Sequence, residues 1–404
     1  MTSAIMTVNA GSSSLKFALF DSASPSLAIL RGEVSDLSGA PHLIAHDGEG
    51  NVLIDQQWRD SDDGDFTFVL KTLLEFIDAH SGHDELAAVG HRVVHGGADH
   101  IAPEFVTPTL LQSLTAMTAL DPIHMPHSLA PIHAIGVARP KLTQIVCFDT
   151  AFHHTLPPVA RRFALPRAIS DAGVRRYGFH GLSYEYIADQ LRNEAPELAR
   201  GRIVVAHLGA GASLCALRNG VSIATTFGFS VLDGLVMATR CGSLDPGVIL
   251  HLARQGHSFG SIEDILYNRS GLLGVSGISG DIRVLLASND VQAREAIELF
   301  TYRLAIEIAG MTSALGGLDG IVFTAGIGAN SPEIRAAVCE RLAWLGVRLD
   351  RAANHANASC ISAADSDIDI RAMPTDEEAM IAHHIRDRLS SPKLTAENIV
   401  ARNG

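Results

Sequence analysis

Asn9-Ala10-Gly11-Ser12-Ser13-Ser14-Leu15-Lys16 and, about 200 residues further on, Ala210-Gly211-Ala212-Ser213-Leu214 read as one device used twice. Around the first, Ile5 to Val8 and Leu15 to Phe20 are short apolar or alternating runs, the pattern of a β-hairpin. Around the second, Arg202 to His207 and Ser213 to Leu217 flank Gly209, Ala210 and Gly211, and Asn219-Gly220 adds a further hairpin turn signal. A duplicated fold would produce such an echo. So would chance in a chain with 36 glycines, and strand order decides between the two.

Outward from the hairpins, strands and helices alternate, which predicts an α/β fold. Gln144 to Phe148 is a strand delivering Asp149 at its end, and Leu182 to Arg192 has helical spacing. Gly320 to Thr324 is a buried type of strand, followed by a turn at Gly326 and Gly328. Ser331-Pro332 then opens a helix that should end near Gly346. Thr375-Asp376-Glu377-Glu378 reads as a capping box for a helix running to about Leu389. At 404 residues the chain exceeds what one core supports, so two domains are expected, although no long linker marks their boundary.

Composition narrows the function. Hydrophobic residues make up 47% and charged residues 19%, enough to bury a large core. A formal charge of -13 without clustered Lys and Arg argues against nucleic acid as a partner. The five cysteines carry no CxxC pair, so neither disulfide framework nor zinc site is expected and a reducing, cytoplasmic setting fits. No basic leader precedes an apolar segment and no run of 18 apolar residues occurs, which predicts no membrane partner. The 19 histidines include His91 with His95, His124 with His127, and His153-His154, but without HExxH they read as hydrogen-bonding residues, not ligands.

Several segments have the chemistry of anion binding. Asn9 to Lys16 gathers amides, hydroxyls and a lysine at one turn but lacks the Walker A spacing, and a solvent-facing lysine is the alternative. Val322 to Glu333 (VFTAGIGANSPE) aims free amides and a helix start toward an anion, or packs strand against helix. With His207 to Gly211 (HLGAG) and Ser276 to Arg283 (SGISGDIR), three glycine turns follow apolar runs, suggesting one converging cleft. Arg92 and Arg240 sit in apolar, glycine-punctuated surroundings, where a guanidinium needs an anionic ligand or a protein carboxylate. Asp149 is either a functional carboxylate at a strand end or a helix cap, and Glu377 in a helix's first turn is already favoured by the dipole.

Taken together, NAGSSSLKFALFD, GHRVVHGG, VCFDTAFHHTLP, RRYGFHGLSYEYIA, HLGAGASLCALRNG, GISGDIR, FTAGIGANSPEIR and PTDEEAMIA resemble the acetate kinase family in the family's order, from Asn9 to Glu378. The resemblance implies the actin-like ATPase (ribonuclease H-like) fold: two related α/β domains enclosing a nucleotide cleft and closing on substrate. It implies an N-terminal domain of 1–150 plus 383–404, a nucleotide-binding domain of 151–382, and a homodimer. Asn9 and Glu377 match the magnesium positions (Mn2+ as substitute), and Ser12, Ser14 and Lys16 the first phosphate-contacting hairpin. Arg92 and Arg240 match the substrate arginines, Asp149 the catalytic acid, and His180 the histidine that stabilises the transferring group with Arg240. His207, Leu208, Gly209, Ala210 and Gly211, with Asp281, Ile282 and Arg283, fall on segments that bind ATP or ADP, as do Gly326, Ile327, Gly328, Ala329 and Asn330.

What the resemblance implies for activity is reversible, magnesium-dependent phosphoryl transfer from ATP to acetate, giving acetyl phosphate and ADP. A phosphoryl group in flight spreads negative charge that two arginines, a histidine and a divalent ion can absorb, with Asp149 orienting a nucleophile already ionised at neutral pH. Val94, Ile123, Phe179 and Val231 match the pocket for the acid's apolar tail. Val231 stands where the family commonly has proline, and Met125-Pro126-His127-Ser128 replaces an asparagine and proline run, which keeps propionate open as a substrate. Ala210 and Ala329 replace an asparagine and a glutamate, which keeps a pyrophosphate-using relative open. From a different class, a nucleotide-driven binding module on the same fold is the non-enzymatic alternative.

Overall fold

A computed structural model describes residues 4–11, 14–37, 39–58, 66–80 and 86–390. They form two compact units, Met1–Ala151 with Asp376–Gly404, and Phe152–Thr375. The second crossing between the units lies at Asp376, and the resemblance implies a domain boundary at 383. Asp376 caps the helix Glu377–Ser390 and pairs with Arg31, so that helix belongs with the first unit from its first turn.

The first unit is built on eight strands: β1 (Ala4–Ala10), β2 (Ser14–Asp21), β3 (Ser24–Ser35), β4 (His42–Asp47), β5 (Val52–Gln57), β6 (Leu86–Val93), β7 (Glu104–Phe105) and β8 (Thr143–Phe148). They lie in the order β5-β4-β3-β2-β1-β6-β8-β7. The hairpin β1–β2 pairs Asn9 with Lys16, and β6 and β8 run parallel beside β1. On one face Met6, Val8, Phe17 and Val89 bury against Leu70, Leu73 and Ile77 of the helix Phe66–His80. The other face carries the helix Glu377–Ser390. A Cβ at Gly90 would lie 2.3 Å from Ile385 Cδ1 and 2.5 Å from Ile381 Cγ2, so a glycine in β6 is what lets that helix sit down.

The second unit has five strands: β9 (Arg202–Leu208), β10 (Ala212–Arg218), β11 (Val221–Thr225), β12 (Gly320–Thr324) and β13 (Asp369–Ala372). Their order is β11-β10-β9-β12-β13. β10 is antiparallel to both neighbours and β12 parallel to both of its own. Asn219 and Gly220, both at positive φ (53° and 72°), turn β10 into β11. β9 is buried along both faces, so it reads as a continuous apolar run: Ile203 and Val205 pack with Tyr184, Ile187 and Leu191 of the helix Gly181–Glu194. The 25-residue helix Val291–Leu315 also packs on β9, β10 and β11.

Strand order settles the question of the echo. β3-β2-β1-β6-β8 and β11-β10-β9-β12-β13 are one pattern, an antiparallel meander followed by two parallel strands, so the two glycine hairpins occupy equivalent places. Two local expectations need correction. The cap of the last helix is Asp376, whose Oδ1 accepts from Ala379 N at 2.8 Å, while Thr375 Oγ1 is buried without a hydrogen-bond partner. After β12 the chain makes no glycine turn but a short helix at once, Ala325–Asn330, entered through Ala325 at φ +64°.

Candidate active site

In the first unit the functional side chains gather at the carboxyl ends of β1, β6 and β8, the rim where α/β sheets present such groups. Arg92, next to last in β6, donates from Nη2 to Asp149 Oδ2 at 2.5 Å, just past β8. Its Nε is buried without a hydrogen-bond partner, 4.0 Å from Glu377 Oε2. Asn9 Nδ2 donates to Glu377 Oε2 at 3.0 Å and to Glu378 Oε1 at 3.3 Å. One guanidinium and three acidic side chains thus share a pocket in which Asp149 is fully buried. Burial alone would lower the pKa of Arg92, but Asp149, Glu377 and Glu378 raise it. Glu377 is pushed up to about 7 by its own burial and by Asp149 and Glu378, against the pull of Arg92.

That excess of acid over base is an observation about metal binding. Magnesium is held by one or two carboxylates plus water and phosphate oxygens, and the half-buried Glu377 carboxylate, gathered with Glu378 around Asn9, has donor chemistry of that kind. Among the described residues, no group of three His, Cys, Asp or Glu is arranged to hold a metal by protein ligands alone.

In the second unit His180 enters the helix Gly181–Glu194 at φ +60°, a left-handed conformation costly for a side chain with a β-carbon. Its ring stacks on His207 at 4.0 Å between centroids and meets the edge of Phe227 at 5.0 Å. Nδ1 is hydrogen-bonded to Ser213 Oγ at 2.9 Å, and that hydroxyl to Tyr184 OH at 2.5 Å. A Cβ on Gly211 would lie 3.4 Å from His180 Nε2 and 3.6 Å from Arg240 Nη1. The bare α-carbon therefore leaves a methyl-sized gap faced by an imidazole and a guanidinium. Arg240 Nη1 is held by the Val231 carbonyl at 3.2 Å and lies 3.7 Å from Met237 Sδ.

Beside this gap is a cavity of about 980 Å³, lined among others by Gly209, Ala210, Asp281, Ile282, Gly326 and Asn330. The three glycine segments do converge, all within the second unit. Ser276 to Arg283 does so in an unforeseen way: Asp281 caps the helix Ile282–Ala287 by accepting from Arg283 N at 2.9 Å, and the Arg283 guanidinium folds back onto the same carboxylate.

Other expected residues are placed less centrally. Ser12 lies outside the described residues. Lys16 is on the exposed side of β2, in register between Asn9 and Glu33, the solvent-facing position weighed from the sequence. Ser14 is half-buried at the start of β2, its carbonyl closing the turn on Gly11 N at 2.7 Å. Val94 is buried, its amide 3.4 Å from Ser128 Oγ, and Ile123 is half-buried. Phe179 is fully buried edge-on against Phe227, and Val231 is buried. Ser213, Ser183 (on His207 Nδ1 at 2.8 Å), Tyr184 and Glu378 were missed. For Tyr184 a signal existed, four residues after His180 on a helix and so on the same face.

Over residues 4–383 the chain matches the Acetokinase family. Acetate kinase of Rhodopseudomonas palustris (strain TIE-1) is 51% identical over 392 residues, 95% of this chain and 98% of that one. Among solved structures, a propionate kinase from Francisella tularensis subsp. tularensis SCHU S4 superposes with a TM-score of 0.89 at 33% identity, covering 95% of this chain and 98% of that one. Porphyromonas gingivalis acetate kinase follows at 0.86 and 31%, covering 96% and 100%. Fold and likeness define the class first, a phosphotransferase of the actin-like ATPase fold whose acceptor is a carboxyl group. Within that class the chain belongs to the acetokinase family, and the non-enzymatic binding module is set aside.

Proposed function

We propose that the protein transfers the γ-phosphoryl group of ATP to acetate and back, with Mg2+ held by Asn9 and Glu377. The observation that carries this reading is the gap at Gly211, where His180 Nε2 and Arg240 Nη1 converge beside a cavity of about 980 Å³. In the transfer, a carboxylate oxygen attacks the γ-phosphorus, the bond to the ADP oxygen breaks, and no proton need move. The protein's task is therefore positioning and charge stabilisation. Equatorial phosphoryl oxygens would take hydrogen bonds from His180 and Arg240, and Ser213 with Tyr184 would hold the imidazole in place. Arg92 has an unused Nε for the acid's carboxylate, and Asp149, locked to the same guanidinium, would keep that fork aimed. The ion would neutralise phosphate charge.

We take Val94, Ile123, Phe179 and Val231 to contact the acid's methyl group. Propionate is the second reading, favoured by Val231 and by the likeness to a propionate kinase. We also take the two compact units to be the two domains of the fold, and the protein to be a cytoplasmic homodimer; its five cysteines, scattered without a CxxC pair, support a reducing compartment. A hydroxylamine-trapped assay with acetate, propionate and butyrate, each with ATP or pyrophosphate at fixed Mg2+, tests the proposal. Acetate with ATP should give the highest kcat/KM. No acyl phosphate from any pair would end the reading.

A further inference from the structure

Arg335, in the helix Pro332–Arg341, heads the fully buried side chains by volume among the described residues. Its guanidinium meets neutral oxygens: Nε donates to Asn354 Oδ1 at 2.8 Å, Nη2 to Asn354 O at 2.8 Å and Asn357 Oδ1 at 2.6 Å, and Nη1 to Gly328 O at 2.9 Å. Asn354, in the helix Arg351–His355, donates in turn from Nδ2 to Pro332 O at 2.9 Å, closing a ring between the two helices. Desolvating a cation costs stability that an apolar side chain of similar volume would not, and burial accordingly lowers the pKa of Arg335. An arginine here makes sense through what it holds.

What it holds is the middle of the short helix Ala325–Asn330, which contributes Gly326, Ile327 and Asn330 to the large cavity. From the opposite side the same segment is pressed on the sheet: a Cβ at Gly328 would lie 3.2 Å from Phe323 C and 3.3 Å from Ala206 O. Its entrance, Ala325, has a left-handed backbone that a β-carbon disfavours. Such a conformation persists only where the surroundings over-determine it, and the sheet on one side and the guanidinium on the other do so. Asn357, itself at φ +51°, completes the clamp.

We propose that Arg335 is a positioning residue for the phosphate donor: by gripping the Gly328 carbonyl it sets the 326–330 backbone in the shape that binds nucleotide, governing donor affinity and not the chemical step. The inference rests on reading that cavity as the nucleotide site. Arg335→Gln should raise KM for ATP and Kd for ADP, the latter by calorimetry, about tenfold, the scale of one lost charge-assisted hydrogen bond. KM for acetate and kcat at saturating ATP should stay within about twofold, a split that general loosening would not give. Asn357→Ala, which removes one acceptor at a left-handed position that alanine also disfavours, should move the same constants in the same direction by about threefold, and carries the test if Arg335→Gln does not fold. Asn357→Asp, which keeps the acceptor, should bind ADP like wild type. ADP affinity unchanged in folded Arg335→Gln or Asn357→Ala, or kcat falling with KM for ATP fixed, would overturn the proposal. Wild type that binds ADP but phosphorylates no carboxylate would instead end the proposed function and leave this inference standing.

Discussion

The two units share one strand order but arm it differently. At the ends of β1, β6 and β8 the first unit concentrates formal charge: Arg92, Asp149, Glu377 and Glu378, with Asn9 between. At the equivalent ends of β9 and β12 the second unit has glycines, backbone amides and an aromatic wall behind His180. The first arrangement is charge-rich and largely self-paired; the second leaves room for an anion. A duplicated frame fixes where function sits, and the side chains grafted on it decide what each copy can hold.

Removing the arginines should separate the two arrangements most sharply. Arg92→Ala and Arg240→Ala should each lower kcat by about a thousandfold, Arg240→Ala through a lost donor to developing phosphoryl charge and Arg92→Ala through lost alignment of the attacking carboxylate. Only Arg92→Ala should also lower stability, by about 3 kcal/mol, because it strands Asp149 and Glu377 without their cation. Kinetics paired with urea unfolding checks this. Equal stability losses would erase the contrast.

A glycine in each unit gives the next contrast. Gly211→Ala adds a methyl at ordinary contact distance from His180 and Arg240, so stability should change by less than about 0.5 kcal/mol while kcat falls about a hundredfold through occupation of the phosphoryl gap. Gly90→Ala meets Ile385 and Ile381 well inside contact distance and should cost about 1–3 kcal/mol, showing first as a lowered Tm. A folded, active Gly211→Ala enzyme would remove the main support for the phosphoryl site.

Much of this contrast was legible in the sequence. Apolar alternation located both hairpins, and Asp149 was visible as the residue following an apolar strand. Partnership was not legible: that Arg92 bonds Asp149 through Nη2 while its Nε makes no hydrogen bond and lies 4.0 Å from Glu377 is set by distance in space. Nor could spacing show that Asp376 and not Thr375 caps the last helix, since both have the right chemistry one residue apart. The backbone at Ala325 was hidden because alanine gives no sign of a left-handed conformation, and the clamp at Arg335 joins residues up to 29 apart through a ring of side chains.

Titration should divide the first unit against itself. His91, buried and hydrogen-bonded to Gln144, is held down to about 4 by burial from its ordinary 6.5, so it contributes stability that is present above pH 6.5 and lost as pH falls toward 4. Glu377 has the opposite sign: raised from 4.5 to about 7, it contributes stability present below pH 4.5 and lost as pH rises through 7. Magnesium, by favouring the carboxylate, should restore the loss on the alkaline side alone. Thermal unfolding from pH 4 to 8 with and without Mg2+ reads both, and Glu377→Gln should abolish the magnesium effect while leaving the acid limb in place. A magnesium effect that survives Glu377→Gln would move the ion elsewhere.

The smallest expected effect concerns the acid's tail. Val231 offers its carbonyl to Arg240 and its buried side chain to the surrounding core, so the backbone role survives side-chain change. Val231→Ala should therefore leave kcat for acetate within about threefold while shifting the propionate to acetate ratio of kcat/KM upward by about tenfold, because one methylene in a pocket is worth about 1–3 kcal/mol. A ratio that does not move would mean that Val231 shapes the arginine's support and not the acyl pocket.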